Sequence, residues 1–228
     1  MRAMILAAGL GTRMRPLTLN CPKPLLRAGG RALIEYHIER LVRLGVERIV
    51  INHAWLGEQI EAALGSGERF GVPLHYSAEA EPLETAGGIR QALPLLADDE
   101  DECFLVVNGD VYTELSHDSL AGLRLSPERQ AHLLLVDNPP WHPCGDFHLR
   151  SDGGVVEGEP RLTFAGISLL RASLFTALTP GQPAALAPLL REAMARDAVC
   201  GSRIDAYWDD IGTPERLAAL DQRLRGEC

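Results

Sequence analysis

Short apolar, branched runs alternate along the chain with longer stretches in which apolar residues recur every three or four positions, a rhythm that alternates strand with helix. The runs predict strands over 3–8, 48–52, 74–77, 104–108 and 132–136, and the periodic stretches between them predict helices over 33–44, 58–64 and 86–96. In the first helix Leu33, Ile34, His37, Ile38, Leu41 and Leu44 fall on one stripe, and Gly45 supplies a stop. After 136 the rhythm changes. Pro139-Pro140, Pro143 and Gly145 predict a loop, and short strand-like pieces follow over 147–149, 155–157 and 163–170, with Asp152-Gly153-Gly154 as a hairpin turn. Helices resume over 187–196 and 214–224, the last opened by Thr213 as N-cap and Pro214 at the first helical position. The pattern as a whole is that of an α/β protein.

Composition narrows the class. With 228 residues, 46% of them hydrophobic and 23% charged, the chain is long enough to bury a substantial core. No apolar run approaches the roughly 18 residues of a membrane span, and the stretch 3–10 leads into Gly11-Thr12-Arg13 rather than a cleavage site. A soluble, cytoplasmic protein is expected, without a membrane partner. The five cysteines (Cys21, Cys103, Cys144, Cys200 and Cys228) are odd in number and form no C-x-x-C pair, which fits a reducing compartment better than a disulfide framework.

The net charge of -9 argues against nucleic acid as a partner, but the charge is unevenly placed. Up to Arg31 there are six basic residues and no acid, which predicts an anion bound near the start. Lys23, between Pro22 and Pro24, is the only lysine among the 22 basic residues. A compact ammonium in an otherwise arginine-using chain is either a functional point charge or chance. The first strand runs into Ala7-Ala8-Gly9-Leu10-Gly11-Thr12-Arg13, and glycines after a buried strand let backbone amides curl around a phosphate. Neither common nucleotide motif fits, since no Gly-Lys-Ser/Thr closes the loop and Met14 stands where a dinucleotide fingerprint needs its third glycine.

Together, the run from Leu6 through Gly9, Gly11, Thr12, Arg13, Pro16, Leu17 and Thr18 and the following Pro22-Lys23-Pro24-Leu25 resemble the double signature of the sugar-phosphate nucleotidyltransferases. Three further stretches agree in order: Glu81-Pro82-Leu83-Glu84-Thr85-Ala86-Gly87-Gly88, Asn108-Gly109-Asp110 and Trp208-Asp209-Asp210-Ile211-Gly212-Thr213. The resemblance covers essentially the whole chain. It implies a three-layer α/β/α, Rossmann-like nucleotide-diphospho-sugar transferase fold with a mostly parallel mixed sheet. One domain over 1–228 is expected, with a nucleotide-binding half at 1–136 and a sugar-binding half at 137–228. Within the family, the short length without a β-helical tail, the Glu84-Thr85-Ala86-Gly87-Gly88 variant and Val136-Asp137-Asn138-Pro139 most resemble uridylyltransferases of peptidoglycan recycling. The implied substrates are UTP and N-acetylmuramic acid α-1-phosphate. A guanylyltransferase acting on mannose or heptose 1-phosphate is the alternative within the class, and a non-catalytic nucleotide-sugar sensor is the alternative outside it. A monomer or small homo-oligomer is expected.

The resemblance also implies roles for residues. Arg13 and Lys23 would be catalytic, Arg13 neutralising departing pyrophosphate and Lys23 holding the α-phosphate region. Nucleotide contacts would come from Ala8, Gly9, Gly11, Thr12, Arg13, Lys23, Glu79, Gly87 and Asn108, with Glu79 or Glu81 accepting a base N–H. Sugar contacts would come from Asn108, Gly145, Asp146, Glu157, Glu159 and Gly166. Many members have Glu-Lys-Pro where this chain has Glu159-Pro160-Arg161, so a second cation is missing from its usual position and Arg161 is the candidate substitute. Asp110 follows an apolar strand, at the edge where open α/β sheets bind ligands. With Asp210 it makes a pair of hard oxygen donors suited to Mg²⁺, although either aspartate equally suits a turn. Asp209 competes with Asp210, but neighbouring strand residues face opposite ways, and the family pattern selects Asp210. His142, Cys144 and His148 share a loop but match no zinc spacing, and Trp141 and Trp208 are expected to pack in the interior.

Overall fold

The computed structural model describes residues 1–226; Cys228 lies outside them. In chain order the strands are β1 (Ala3–Leu6), β2 (Arg27–Ala28), β3 (Arg31–Ala32), β4 (Ile49–His53), β5 (Leu74–Ala78), β6 (Cys103–Asn108), β7 (Val111–Thr113), β8 (Ala131–Val136), β9 (His148–Leu149), β10 (Val155–Val156), β11 (Thr163–Arg171), β12 (Val199–Arg203) and β13 (Trp208–Asp210). The α-helices are α1 (Leu33–Arg43), α2 (Gly57–Leu64), α3 (Glu84–Leu96), α4 (His117–Ala121), α5 (Leu186–Ala195) and α6 (Pro214–Arg225). Among the described residues, seven strands form one sheet in the order β12-β8-β11-β6-β1-β4-β5. Only β11 runs against the others, so the sheet is mixed and mostly parallel, as expected.

Alternation along the strands makes the three layers. Ala3 and Ile5 of β1, with Leu105 and Val107 of β6, face Ile34, Ile38 and Leu41 of α1 and Ile60 of α2. Met4, Phe104 and Val106 face the other way, into Ile89, Ala92 and Leu96 of α3 and Leu190 of α5. Both sheet faces are therefore apolar, which is why these strands read as continuous rather than alternating runs. A third cluster forms where α6 packs Leu217 and Leu220 on Met14, Leu26, Leu33 and Tyr112, tying the C-terminal helix to the segment after β1. Thr213 and Pro214 start α6 as predicted, the Thr213 hydroxyl accepting from Arg216 N at 3.4 Å.

Several elements were not visible in the sequence. The three-residue strands β7 and β13 pair with each other, away from the main sheet, and β12 is an edge strand with Gly201 at its centre. Helix α3 begins at Glu84 rather than 86, and Glu84 itself adopts φ 57°. Among the described residues no helix is long and apolar enough to cross a membrane.

His37, on the buried stripe of α1, is 1% exposed. Burial foremost, then the charge of Arg40, lowers its pKa from 6.5 to about 3, against weaker opposing effects of the Val111 backbone and Asp110. The folded chain thus refuses a proton that the unfolded chain takes up below pH 6.5, so His37 costs stability progressively as pH falls through that window. His37→Leu is expected to lose about 2 kcal/mol less than wild type between pH 7.5 and pH 5, at about 1.4 kcal/mol per pH unit below the unfolded pKa. Urea unfolding at the two pH values checks this; equal acid losses in both proteins would contradict it.

Candidate active site

The parallel strands β1, β4 and β6 end side by side, with Leu6 in register with both Asn52 and Asn108. The segments leaving these strands therefore meet at one edge of the sheet, the edge at which open α/β sheets bind ligands. The Gly9 loop leaves β1, Asn108-Gly109-Asp110 closes β6, and Asn52 near the end of β4 accepts a hydrogen bond from Ala7 N at 2.9 Å. A Cβ on Gly109 would lie 2.6 Å from the Leu6 carbonyl oxygen, so only glycine lets the chain turn there toward Asp110.

β7 begins directly after Asp110 and pairs antiparallel with β13, opposing Val111 to Asp210. Ile211 N donates to the Asp110 carbonyl at 2.7 Å, which fixes the two aspartates at the same end of this ribbon. Asp210 lines the cavity at that end. Asp209 points inward, is 6% exposed, and its carboxyl is pushed up to about 6 by burial, which outweighs the opposing charge of Arg216; Asp210 adds a smaller upward push. The segment Lys23–Leu25 forms a single 3-10 turn after Pro22 and directs Lys23 into the same place. Lys23 Nζ donates to Asp110 Oδ2 at 2.8 Å, and the lysine side chain is only 11% exposed.

Two cavities adjoin at this point and share Asn108 and Asp110. The first is walled by Ala8, Gly9, Lys23, Asn52, Glu79 and Thr85, and the second by Arg13, Trp141, His142, Thr163, Gly166 and Asp210. Arg13 extends over Gly212, where a Cβ would come within 3.1 Å of its Nη1 and 2.5 Å of Arg216 Nη2. Arg216 in turn contacts the Asp210 carboxylate, which also accepts from Trp141 Nε1 at 2.9 Å. Each cavity-facing aspartate thus meets a cation, Asp110 through Lys23 and Asp210 through Arg216.

Other predicted residues are arranged differently from the expectation. Gly11 and Thr12 wall neither cavity; Gly11, at φ 61°, accepts from the Thr18 hydroxyl at 2.8 Å and shapes the turn that carries Arg13. Glu79 lines the first cavity, but both its oxygens already have donors, Asn52 Nδ2 at 2.7 Å and Leu83 N at 2.8 Å, so it also braces the loop ahead of α3. Glu81 is exposed and walls neither cavity. Gly87 faces the backbone of 182–184, with Gln182 O 2.5 Å from where its Cβ would be; the glycine allows helix-to-loop packing rather than approach of a base. Gly145 turns the 139–146 loop at φ 60° against Asn138. Asp146 spends one oxygen on Phe164 N at 2.8 Å and the other on His142 Nε2 at 3.1 Å, so it touches the second cavity only through His142. Glu157 pairs with Arg191, and Glu159 with Arg161, all exposed and outside both cavities, so Arg161 faces Glu159 rather than the second cavity. Trp141 is 49% exposed rather than interior, whereas Trp208 packs on the core and donates to Ala165 O at 2.9 Å.

Asn52, Arg216 and the exposed Trp141 were missed in the sequence. A polar residue closing the apolar run Ile49-Val50-Ile51 was a usable signal for Asn52; nothing local marks the other two.

Comparison with known proteins shows the family. Residues 2–139 match the family model described as Nucleotidyl transferase. The chain is 51% identical to the N-acetylmuramate alpha-1-phosphate uridylyltransferase of Neisseria meningitidis serogroup B (strain MC58), over 95% of each chain. It is 34% identical to the protein of the same name from Caulobacter vibrioides, over 97% of this chain and 96% of that one. HddC from Yersinia pseudotuberculosis, solved with GMP-PN, shares the fold at a TM-score of 0.76 and 22% identity, covering 97% of this chain and 98% of that chain.

The second cavity depends on a backbone irregularity. β11 is bulged between Phe164 and Ser168, and Gly166 within the bulge has φ 71°. A Cβ there would lie 2.8 Å from Asn108 Nδ2. Gly166→Ala is expected to cost about 1–3 kcal/mol through backbone strain and overpacking, and to reduce activity by displacing Asn108. Thermal unfolding and turnover of the variant check this; unchanged values of both would contradict it.

Proposed function

From the premise that the chain belongs to the nucleotidyl transferase family, we propose that it transfers UMP from UTP to N-acetylmuramic acid α-1-phosphate, releasing pyrophosphate. The relatives' names and their near-complete coverage support the substrates. The observation that carries the chemistry is Lys23 on Asp110, at the seam between two cavities.

In this reading the nucleoside occupies the first cavity and the sugar the second, and the phosphates of both reactants lie at the seam between them, within reach of Lys23 from one side and Arg13 from the other. An oxygen of the sugar phosphate attacks the α-phosphorus, a P–O bond forms, and the bond to the β-phosphate oxygen breaks. The nucleophile is mostly ionised at pH 7, since a phosphomonoester's second pKa is about 6, so no general base is needed. The enzyme must instead hold two polyanions together and stabilise charge on the leaving group, which is work for positioned cations. Lys23 transfers its donation from Asp110 to the α-phosphate region common to both reactants. Arg13, exposed beside Gly212, receives the pyrophosphate charge. Ala8 and Gly9 border the triphosphate with backbone, and Asn108 stands between the two substrates.

Asp110 and Asp210 fit Mg²⁺: both are oxygen donors at one end of the β7–β13 ribbon, and Mg²⁺ usually completes its shell with water and phosphate oxygens. Bound there, the ion would offset phosphate charge on the α-phosphate and the leaving group. Release of Lys23 and Arg216 from the two carboxylates frees both cations for phosphate.

Pyrophosphate release across a panel of triphosphates and sugar 1-phosphates tests the substrates. UTP with N-acetylmuramic acid α-1-phosphate is expected to be fastest; preference for GTP with mannose 1-phosphate would overturn the choice, and binding without product would favour a sensor. Lys23→Ala is expected to lower kcat about 10²-fold or more, the scale of losing one transition-state donor. A near-normal rate would remove Lys23 from the mechanism.

A further inference from the structure

Trp141 has the position of a binding residue and lies outside the apolar core. It is 49% exposed, belongs to none of the three apolar clusters among the described residues, and contributes to the wall of the second cavity. Trp55, comparably exposed at 45%, is a useful contrast: its Nε1 donates to Thr18 O at 3.2 Å and it walls neither cavity.

The exposed indole is held firmly. Its Nε1 donates to Asp210 Oδ1 at 2.9 Å, and the Arg216 guanidinium lies over the ring, 4.6 Å from its centroid. The loop that carries it has little freedom, with Pro139 and Pro140 before it and Pro143 after it, and with His142 N donating to Pro139 O at 2.9 Å. Asp146 secures the adjacent His142 side chain at 3.1 Å. A large aromatic surface kept rigid and half bare beside a ligand cavity has its ordering entropy already spent before a ligand arrives, which is what favours binding by contact area.

Resting on the assignment of the second cavity to the sugar phosphate, we propose that Trp141 is the platform on which the pyranose stacks, and that it joins sugar recognition to the metal-binding carboxylate. A pyranose offers a face of axial C–H groups and, when N-acylated or ether-substituted, methyl groups beside it. These pack on an indole face while hydroxyls stay free for polar contacts. Because the same indole donates to Asp210, a sugar seated on the ring and a cation held by Asp210 favour one orientation of one side chain.

Two substitutions separate the two roles. Trp141→Ala removes ring and donor, and is expected to raise the KM for N-acetylmuramic acid α-1-phosphate about tenfold while leaving the KM for UTP within about twofold, the scale of one lost aromatic contact. Trp141→Phe keeps a ring without an N–H. It is expected to recover most of the sugar KM but to need several-fold more Mg²⁺ for half-maximal rate. Tryptophan emission provides a readout independent of turnover: with Mg²⁺ present, the response to UDP-N-acetylmuramic acid should exceed the response to UDP in wild type, and the excess should fall several-fold in Trp141→Phe, leaving at most the part contributed by Trp208, which also lines the second cavity. An unchanged sugar KM in Trp141→Ala, or an excess emission response of wild-type size in Trp141→Phe, would overturn the platform. Failure of wild type to release pyrophosphate from any pair in the panel would instead count against the proposed reaction, and the emission comparison still decides the platform.

Discussion

The 2.8 Å contact between Lys23 Nζ and Asp110 Oδ2 depends on almost every other feature of the fold. Lys23 reaches the sheet edge because a proline-flanked turn after the Gly9 loop directs it there, and Asp110 because Gly109 lets the backbone pass within contact of Leu6. A lysine side chain only 11% exposed, its ammonium on one carboxylate at the cavity wall, is a charge ready to change partner. Polyanionic substrates offer such partners. The pair also forms the boundary between the two cavities, so exchange of its contacts and juxtaposition of the substrates take place at one point.

The second constraint is the β7–β13 ribbon. Three residues on each side are too few to be stable alone, and the ribbon persists because Tyr112 and Ile211 are buried with α6 and the segment around Met14. Through it, residues a hundred positions apart in the chain deliver Asp110 and Asp210 to one place. The alternation of the strand turns Asp209 inward at the same time. Its carboxyl, raised to about 6, is the cost of burying an acid beside the site, offset in part by Arg216. Arg216 thereby serves three neighbours: Asp209, Asp210 and the face of Trp141.

The legible part of the fold was what burial writes into contiguous sequence. β1, β4, β6 and β8 are buried on both faces and therefore appear as apolar runs, and α1 and α6 carry their stripes and end signals locally. β7 and β13 are three residues long and depend on each other across nearly a hundred positions, and the reversed direction of β11 is a matter of topology; neither leaves a local pattern. The same division holds at the site. Lys23, Asp110 and Asp210 stand in motifs that are contiguous in the chain, and the fold brings the three to one edge of the sheet. The exposure of Trp141 is set by its tertiary neighbours, Asp210 and Arg216, which the general tendency of tryptophan to be buried does not anticipate. A glycine pair before a helix likewise does not reveal that the 182–184 backbone returns to fill the space beside Gly87.

The central claim is that one lysine and two carboxylates organise phosphate groups where two cavities meet. A structure of the protein with Mg²⁺ and UDP-N-acetylmuramic acid tests it most directly. The account predicts that Lys23 Nζ moves from Asp110 onto an oxygen of the α-phosphate, that Asp110 and Asp210 share one ion, and that uridine and sugar lie in the first and second cavities respectively. Diphosphate bound away from Lys23, or an ion held without either aspartate, would contradict it.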